Sequence, residues 1–284
     1  MKNKPANLLF LVVFLSCCGF GCINLKHVND FATTAHKGFE GFATLPVNFQ
    51  QLCLDKCKEL DIKNNKLNSS ACDCDAARKA DSVDYLFYKT VDAYLDGLDK
   101  LSADELTSYK FDALTTQLTG DEMGVAKVSP EQAGAYAKLA GIITKAVTDG
   151  YRRKMLRQYI GEANAPLKIV LHYLQLNVAG NLAIVLNANK GRLESDYFSL
   201  VKNSSDNTYQ QRQIIETFYK LKATMDNESG ELKAYGRLLQ VIADGHQKLL
   251  DNAGKLDKAG LIDLISQYTS NIKDICTQIQ ILKK

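Results

Sequence analysis

Residues 261–282, LIDLISQYTSNIKDICTQIQIL, decide the fold class. Leu261, Ile265, Tyr268, Ile272, Ile275, Ile279 and Leu282 recur at steps of three and four, which makes one side of a helix apolar from end to end. The same spacing runs through most of the chain, and strict period-two alternation is nearly absent. Upstream, Leu232, Tyr235, Leu239, Ile242 and Leu249 mark one helix that stops near Gly254. Ile215, Phe218, Leu221 and Met225 mark another, with 226–230 as the expected break between them. Leu167, Val170, Leu174, Val178, Leu182, Val185, Leu193, Tyr197 and Val201 belong to a helix expected to restart at Asn164-Ala165-Pro166, with Gly180 and Gly191 as loosening points. Ser129-Pro130-Glu131-Gln132 combines a cap, a proline at the first position and a Gln at the third, and predicts the start of a helix through Leu139, Ile143 and Val147. Ser102 and Glu105 have the spacing of a capping box and predict a further helix to about Leu118.

In the N-terminal part, Ala76, Ala80, Val83, Phe87, Val91, Tyr94 and Leu98 form the buried side of a helix over about 71–101. Before it, Val28, Phe31, Ala35, Gly38, Phe42, Leu45, Phe49 and Leu52 form a stripe that Pro46 must bend or split, because proline removes a backbone donor. Residues 61–70 are polar and read as a turn. Helices joined by short polar turns pack as antiparallel neighbours. The expected fold is all-α: an elongated antiparallel helical bundle with coiled-coil-like seams. Residues 22–118 would form an N-terminal helical hairpin region, and 119–284 a C-terminal bundle packed with it as one continuous domain.

Four cysteines follow the pattern Cys-x3-Cys-x14-Cys-x-Cys at Cys53, Cys57, Cys72 and Cys74. The first pair is one turn apart near the end of a helix, and the second opens the next helix. Nested bridges, Cys57 to Cys72 and Cys53 to Cys74, suit antiparallel geometry best; the crossed alternative is Cys53 to Cys72 with Cys57 to Cys74. Closing a loop of about 15 residues contributes roughly 3 kcal/mol in the chain-entropy picture. A four-thiolate zinc site is the competing reading, although Cys-x-Cys is tighter than the usual two-residue spacer. Cys276 lies on the inner stripe of the last helix, beside Ile275, as a small buried hydrophobe.

The first residues are of a different kind. Lys2 and Lys4 precede an unbroken apolar run at 8–15, LLFLVVFL, followed by Ser16-Cys17-Cys18-Gly19-Phe20-Gly21-Cys22. Eight apolar residues are too few to span a bilayer, which takes about 20. Charge, apolar core and small residues before a cysteine make 1–21 a secretory signal peptide. The segment resembles the signal of bacterial lipoproteins, in which the first mature cysteine carries lipid. The resemblance implies attachment at Cys22, which follows Gly21, or alternatively at Cys17, which follows Ser16. Gly19 and Phe14 stand where such signals usually carry a leucine. Export to an oxidising compartment favours the disulfides over free thiols.

Lys and Arg total 35 and Asp and Glu 32, and two of those lysines belong to the signal, so the mature chain is nearly neutral and no basic field points to nucleic acid. The basic run Arg152-Arg153-Lys154 with Arg157 reads as a solvated helix face. His27, His36, His172 and His246 include no i,i+4 metal pair, and His246 falls near an apolar stripe as a satisfied core residue. No Gly-rich phosphate loop or Gly-x-Ser-x-Gly elbow occurs, and Asp73 and Asp75 suit a helix start. The expectation is therefore a protein without catalytic residues, metal or cofactor. It would be a lipid-anchored adaptor, scaffold or binding module of the cell envelope, periplasmic or at the cell surface. It would meet the membrane through its lipid and a protein partner through its bundle. The alternative is a membrane-active protein resembling helical-bundle pore-forming toxins, motivated by the apolar stretch 167–186. The polar members of that stretch, among them Gln175, Asn177 and Asn181, favour a core helix instead.

Overall fold

A computed structural model describes residues 25–67, 72–103, 126–148, 155–203, 208–255 and 259–284. All regular structure among them is helical. Helix α1 spans Lys26–Phe39 and runs into a 3-10 turn at Glu40–Thr44; α2 is Phe49–Lys63 and α3 Asp75–Ala103. Helix α4 is Pro130–Thr148 and α5 Leu156–Gln175, the latter continuing through a π-helical turn at Leu176–Leu182 into α6, Ala183–Asn203. Helix α7 is Thr208–Asp251 and α8 Ala259–Leu282. The all-α bundle and its stapled N-terminal hairpin are thus as the periodicity predicts.

The core is continuous across both expected regions. One hydrophobic cluster includes Val28, Phe31, Phe87, Leu171, Leu239 and Ile272. Helix α1 packs against α3 and α8, and the second half of α7 packs against α5 and α8. The pattern of burial follows the apolar stripes because each helix removes its apolar side from water, worth roughly 25 cal/mol per Å².

Local signals explain most boundaries. The Ser129–Gln132 capping box is formed in both directions, with Gln132 N donating to Ser129 Oγ at 3.2 Å and Ser129 N to Gln132 Oε1 at 2.8 Å. Pro46 sits in an extended strap, residues 45–48, between the 3-10 turn and α2. Three expectations change. Pro166 does not restart a helix; it is buried inside α5, where Ile160, Ala163, Leu167 and Val170 bury a continuous side that outweighs one lost backbone bond. Ser102 lies in the last turn of α3, where its hydroxyl donates back to the Leu98 carbonyl at 2.8 Å; Glu105, the other half of the expected capping box, lies outside the described residues. The helix expected after Ser102 falls largely outside the described residues.

Residues 226–230 do not break α7. Asp226 is held by Lys190 and by Lys222, and Gly230 lets the Leu282 side chain come within 3.2 Å of where a Cβ would stand. Gly191 does not loosen its helix, whereas Gly180 lies in the π-helical turn. The stretch Leu156–Asn203 is long and apolar enough to cross a membrane by length and composition, yet half of its most apolar window is buried in the fold.

Candidate binding site: the stapled hairpin and the arm beside it

Helix α2 is fixed at both ends. At its start, Asn48 caps Gln51 N at 2.8 Å, and Asp81 of α3 accepts from Phe49 N at 2.9 Å and Gln50 N at 2.8 Å. Three otherwise orphaned donors of the first turn are thereby satisfied. One and two turns later, Cys53 bridges to Cys74 with Cα atoms 5.9 Å apart, and Cys57 bridges to Cys72 with Cα atoms 6.3 Å apart. The pairing is the nested one. It works because residues 72–74 are non-helical and lie just before α3, so both side chains reach back to successive turns of α2. The Cys53, Cys57 and Cys74 sulfurs lie within 4.8 Å of one another, the crowding from which a zinc site would be read. Each is joined to another sulfur, and a bridged sulfur is not a thiolate ligand. Cys276 is half-buried on α8, with burial pushing its thiol up. Cys17 and Cys22 lie outside the described residues.

Beyond the staples, α2 leans on α6. Asn189 donates to the Leu52 carbonyl at 3.1 Å, and Lys63 pairs with Asp196 at 2.7 Å. Between α2, α6 and α7 lies a cleft of about 240 Å³, floored by Leu52, Leu186, Leu193 and Met225. Its rim carries both signs, with Asp55, Glu59 and Glu228 facing Lys56, Lys58 and Arg192. Burial, then the nearby Asp55 and Glu231 charges, push Glu228 up to about 7. An apolar floor with a mixed-charge rim can take up another group, whether a small ligand or a side chain of another protein.

From this cleft the α6–α7 pair projects as a two-helix arm. The last buried residue of α6 is Leu193, and the first of α7 is Ser229. At 1.5 Å per residue, the part of α7 before Ser229 is about 30 Å long. Tyr197 and Phe218 pack in its seam with ring centroids 5.7 Å apart. Outside the seam, Phe198, Tyr209 and Tyr219 stand exposed at 72%, 67% and 64%, and Leu200 and Ile215 are also exposed. Their neighbours on α2, Leu60 and Ile62, are exposed as well.

No family model matches the chain, and neither the curated proteins nor the solved structures contain a match. The sequence places His246 in the core as a satisfied residue, and it is there. His246 is fully buried and bonded on both ring nitrogens, to Tyr94 at 2.6 Å and Asn164 at 2.9 Å. The arm was not legible as an arm, since its helices carry the same periodicity as the buried ones. Two buried polar residues were also missed, Asp84 of α3 and its partner Asn177 of the π-helical turn. A signal existed for the first: Asp84 stands four residues after Ala80 and three before Phe87, on the apolar stripe.

Proposed function

We propose that this chain is a non-enzymatic, lipid-anchored protein of the cell envelope that works as a binding module, holding a protein partner on the α6–α7 arm and the adjoining cleft. The observation that carries the reading is the arm itself. Exposed aromatic and aliphatic side chains are concentrated on a pair of helices that contributes little to the core. Large exposed apolar groups of this kind mark interaction surfaces, and Tyr and Phe are enriched at their centres. The two bridges support an oxidising location. The signal-like segment at 1–21 supplies export and an anchor at Cys22.

Site-specific photo-crosslinking tests the reading. A photoreactive residue at Phe198 or Tyr219 is expected to give the same discrete adduct in intact cells, while one at the partly exposed Lys100 of α3 gives none. Absence of an adduct from every arm position would overturn it. The membrane-active reading rests on the apolar stretch 167–186, within the helical run Leu156–Asn203 that is long and apolar enough to cross a membrane. It predicts dye release from liposomes by the delipidated protein, whereas the binding-module reading predicts none.

A further inference from the structure

A second cavity, of about 570 Å³, opens where the Pro46 strap crosses α3 and the π-helical turn. Its volume lies within the range of small-molecule sites. Its lining is largely aromatic and aliphatic, including Phe42, Phe49, Tyr85, Val178 and Leu182, with Asn48, Gln50 and Ser82 adding uncharged polar groups. Asp81 and Asp84, one turn apart on α3, also line it. Asp81 is committed to the two backbone donors at the start of α2. Asp84 is not committed in that way. It is only 5% exposed, and Asn177 donates to it at 2.7 Å. Tyr173 is its other close partner, and neither neighbour carries charge. Among the described residues the one cationic side chain lining the cavity is Arg78, whose guanidinium is paired with Asp75.

The π-helical turn bears on the same place. Turns of this kind are rare and occur frequently at functional sites. Here the turn brings Asn177 onto Asp84 and Val178 and Leu182 onto the cavity wall. A buried carboxyl without a counter-charge is costly to keep. Retaining it at the floor of an aromatic cavity makes chemical sense if a ligand brings the positive charge.

We propose that this cavity binds a small organic cation with an apolar body, an alkyl- or arylammonium compound, whose charge is held by Asp84 and whose body lies against Phe42, Phe49 and Tyr85. The aromatic rings add cation–π attraction, which is strongest in a desolvated site. The ammonium donates to Asp84, Asn177 keeps the carboxylate oriented, and the apolar walls exclude anions and strongly hydrated ions. The site lies away from the arm and does not depend on the partner-binding reading.

Isothermal titration calorimetry at neutral pH with three matched probes tests the proposal. Phenethylammonium is expected to bind with one-to-one stoichiometry and at least about tenfold more tightly than neutral N-phenethylacetamide or anionic phenylacetate, as loss of a charge-assisted bond requires. Asp84→Asn keeps the shape and removes the charge, and is expected to weaken phenethylammonium binding by about tenfold or more. Ala43→Trp, at an exposed position on the cavity rim, is expected to block the cation without touching Asp84. Circular dichroism establishes that each variant is folded, and Ala43→Trp decides the matter if Asp84→Asn is not. Failure of phenethylammonium to bind, equal binding of the neutral probe, or undiminished binding by the folded variants would each overturn the assignment.

Discussion

The Tyr94 hydroxyl lies 2.6 Å from Nε2 of His246, in the middle of the bundle, and ties α3 to α7 across 152 positions of sequence. Nδ1 of the same ring is 2.9 Å from Asn164 Oδ1, and Asn164 donates in turn to Gln247. With Nδ1–H donating to Asn164, Nε2 accepts from the phenol, so the imidazole is neutral and both nitrogens are satisfied. Burial holds His246 down to about 3.

Tyr94→Phe removes the donor and leaves a buried nitrogen without a partner, so it is expected to cost about 1–3 kcal/mol. Urea unfolding at neutral pH measures this. The pH dependence has a definite sign. The unfolded chain binds a proton at His246 below about pH 6.5 while the folded chain stays neutral, so this group's contribution to stability falls as pH drops from there towards 3. Its slope approaches about 1.4 kcal/mol per pH unit. His246→Gln is expected to flatten that part of the profile.

Asp84 should behave in the opposite sense. Burial raises its carboxyl to about 7, more than the opposing Asn177 and Tyr173 contacts lower it. The folded state therefore holds the proton between about pH 4 and 7 while the unfolded state has lost it, and stability declines as pH rises through that window. Asp84→Asn is expected to have little effect near pH 4 and to stabilise above pH 7, with a ceiling of about 4 kcal/mol. Paired thermal melts of the ligand-free protein at the two pH values check this, and a destabilised variant at pH 7.5 would contradict it.

These two buried groups show what was legible in the chain. His246 was readable as a core histidine, because it sits on a clean apolar stripe and no second histidine stands at metal spacing. Asp84 was hidden by its chemistry: an aspartate in a helix normally faces water, and its partners, Tyr173 and Asn177, come from a helix and π-helical turn remote in sequence. Helix existence was readable across the described residues, since burial of an apolar side produces the period directly. Breaks were less so. Pro166 and residues 226–230 carry breaking signals that tertiary packing overrides, whereas Pro46 has no such support and does break the helix.

The close packing of α7 on the π-helical turn depends on Gly236. A Cβ there would collide with the Ala179 side chain. Gly236→Ala is expected to destabilise by about 1–3 kcal/mol, since neither backbone can give way without disturbing its helix, despite the better helix propensity of alanine. Denaturant midpoints compare the two proteins, and Gly134→Ala, where a Cβ meets nothing, serves as the matched control.

Nested bridges make a connectivity prediction. Proteolysis without reduction is expected to link the peptide containing Cys53 to that containing Cys74, and Cys57 to Cys72. Cleavage between Cys53 and Cys57 and between Cys72 and Cys74 separates this from the crossed pattern. Replacing Cys57 and Cys72 together is expected to cost about 2–4 kcal/mol or less, because the outer bridge already restrains the same loop. Recovery of four free thiols from the protein isolated without reductant would contradict the staple.

The proposal that the bundle is exported and held at a membrane by lipid on Cys22 is open to direct test. Metabolic labelling of cells with a fatty-acid analogue, followed by isolation of the chain, tests it most directly. The account predicts label on the wild-type protein and its loss, with release of soluble protein, in Cys22→Ala. Label that survives Cys22→Ala and disappears in Cys17→Ala would move the anchor to Cys17, contradicting attachment at Cys22. An unlabelled wild-type chain would contradict lipid anchoring altogether.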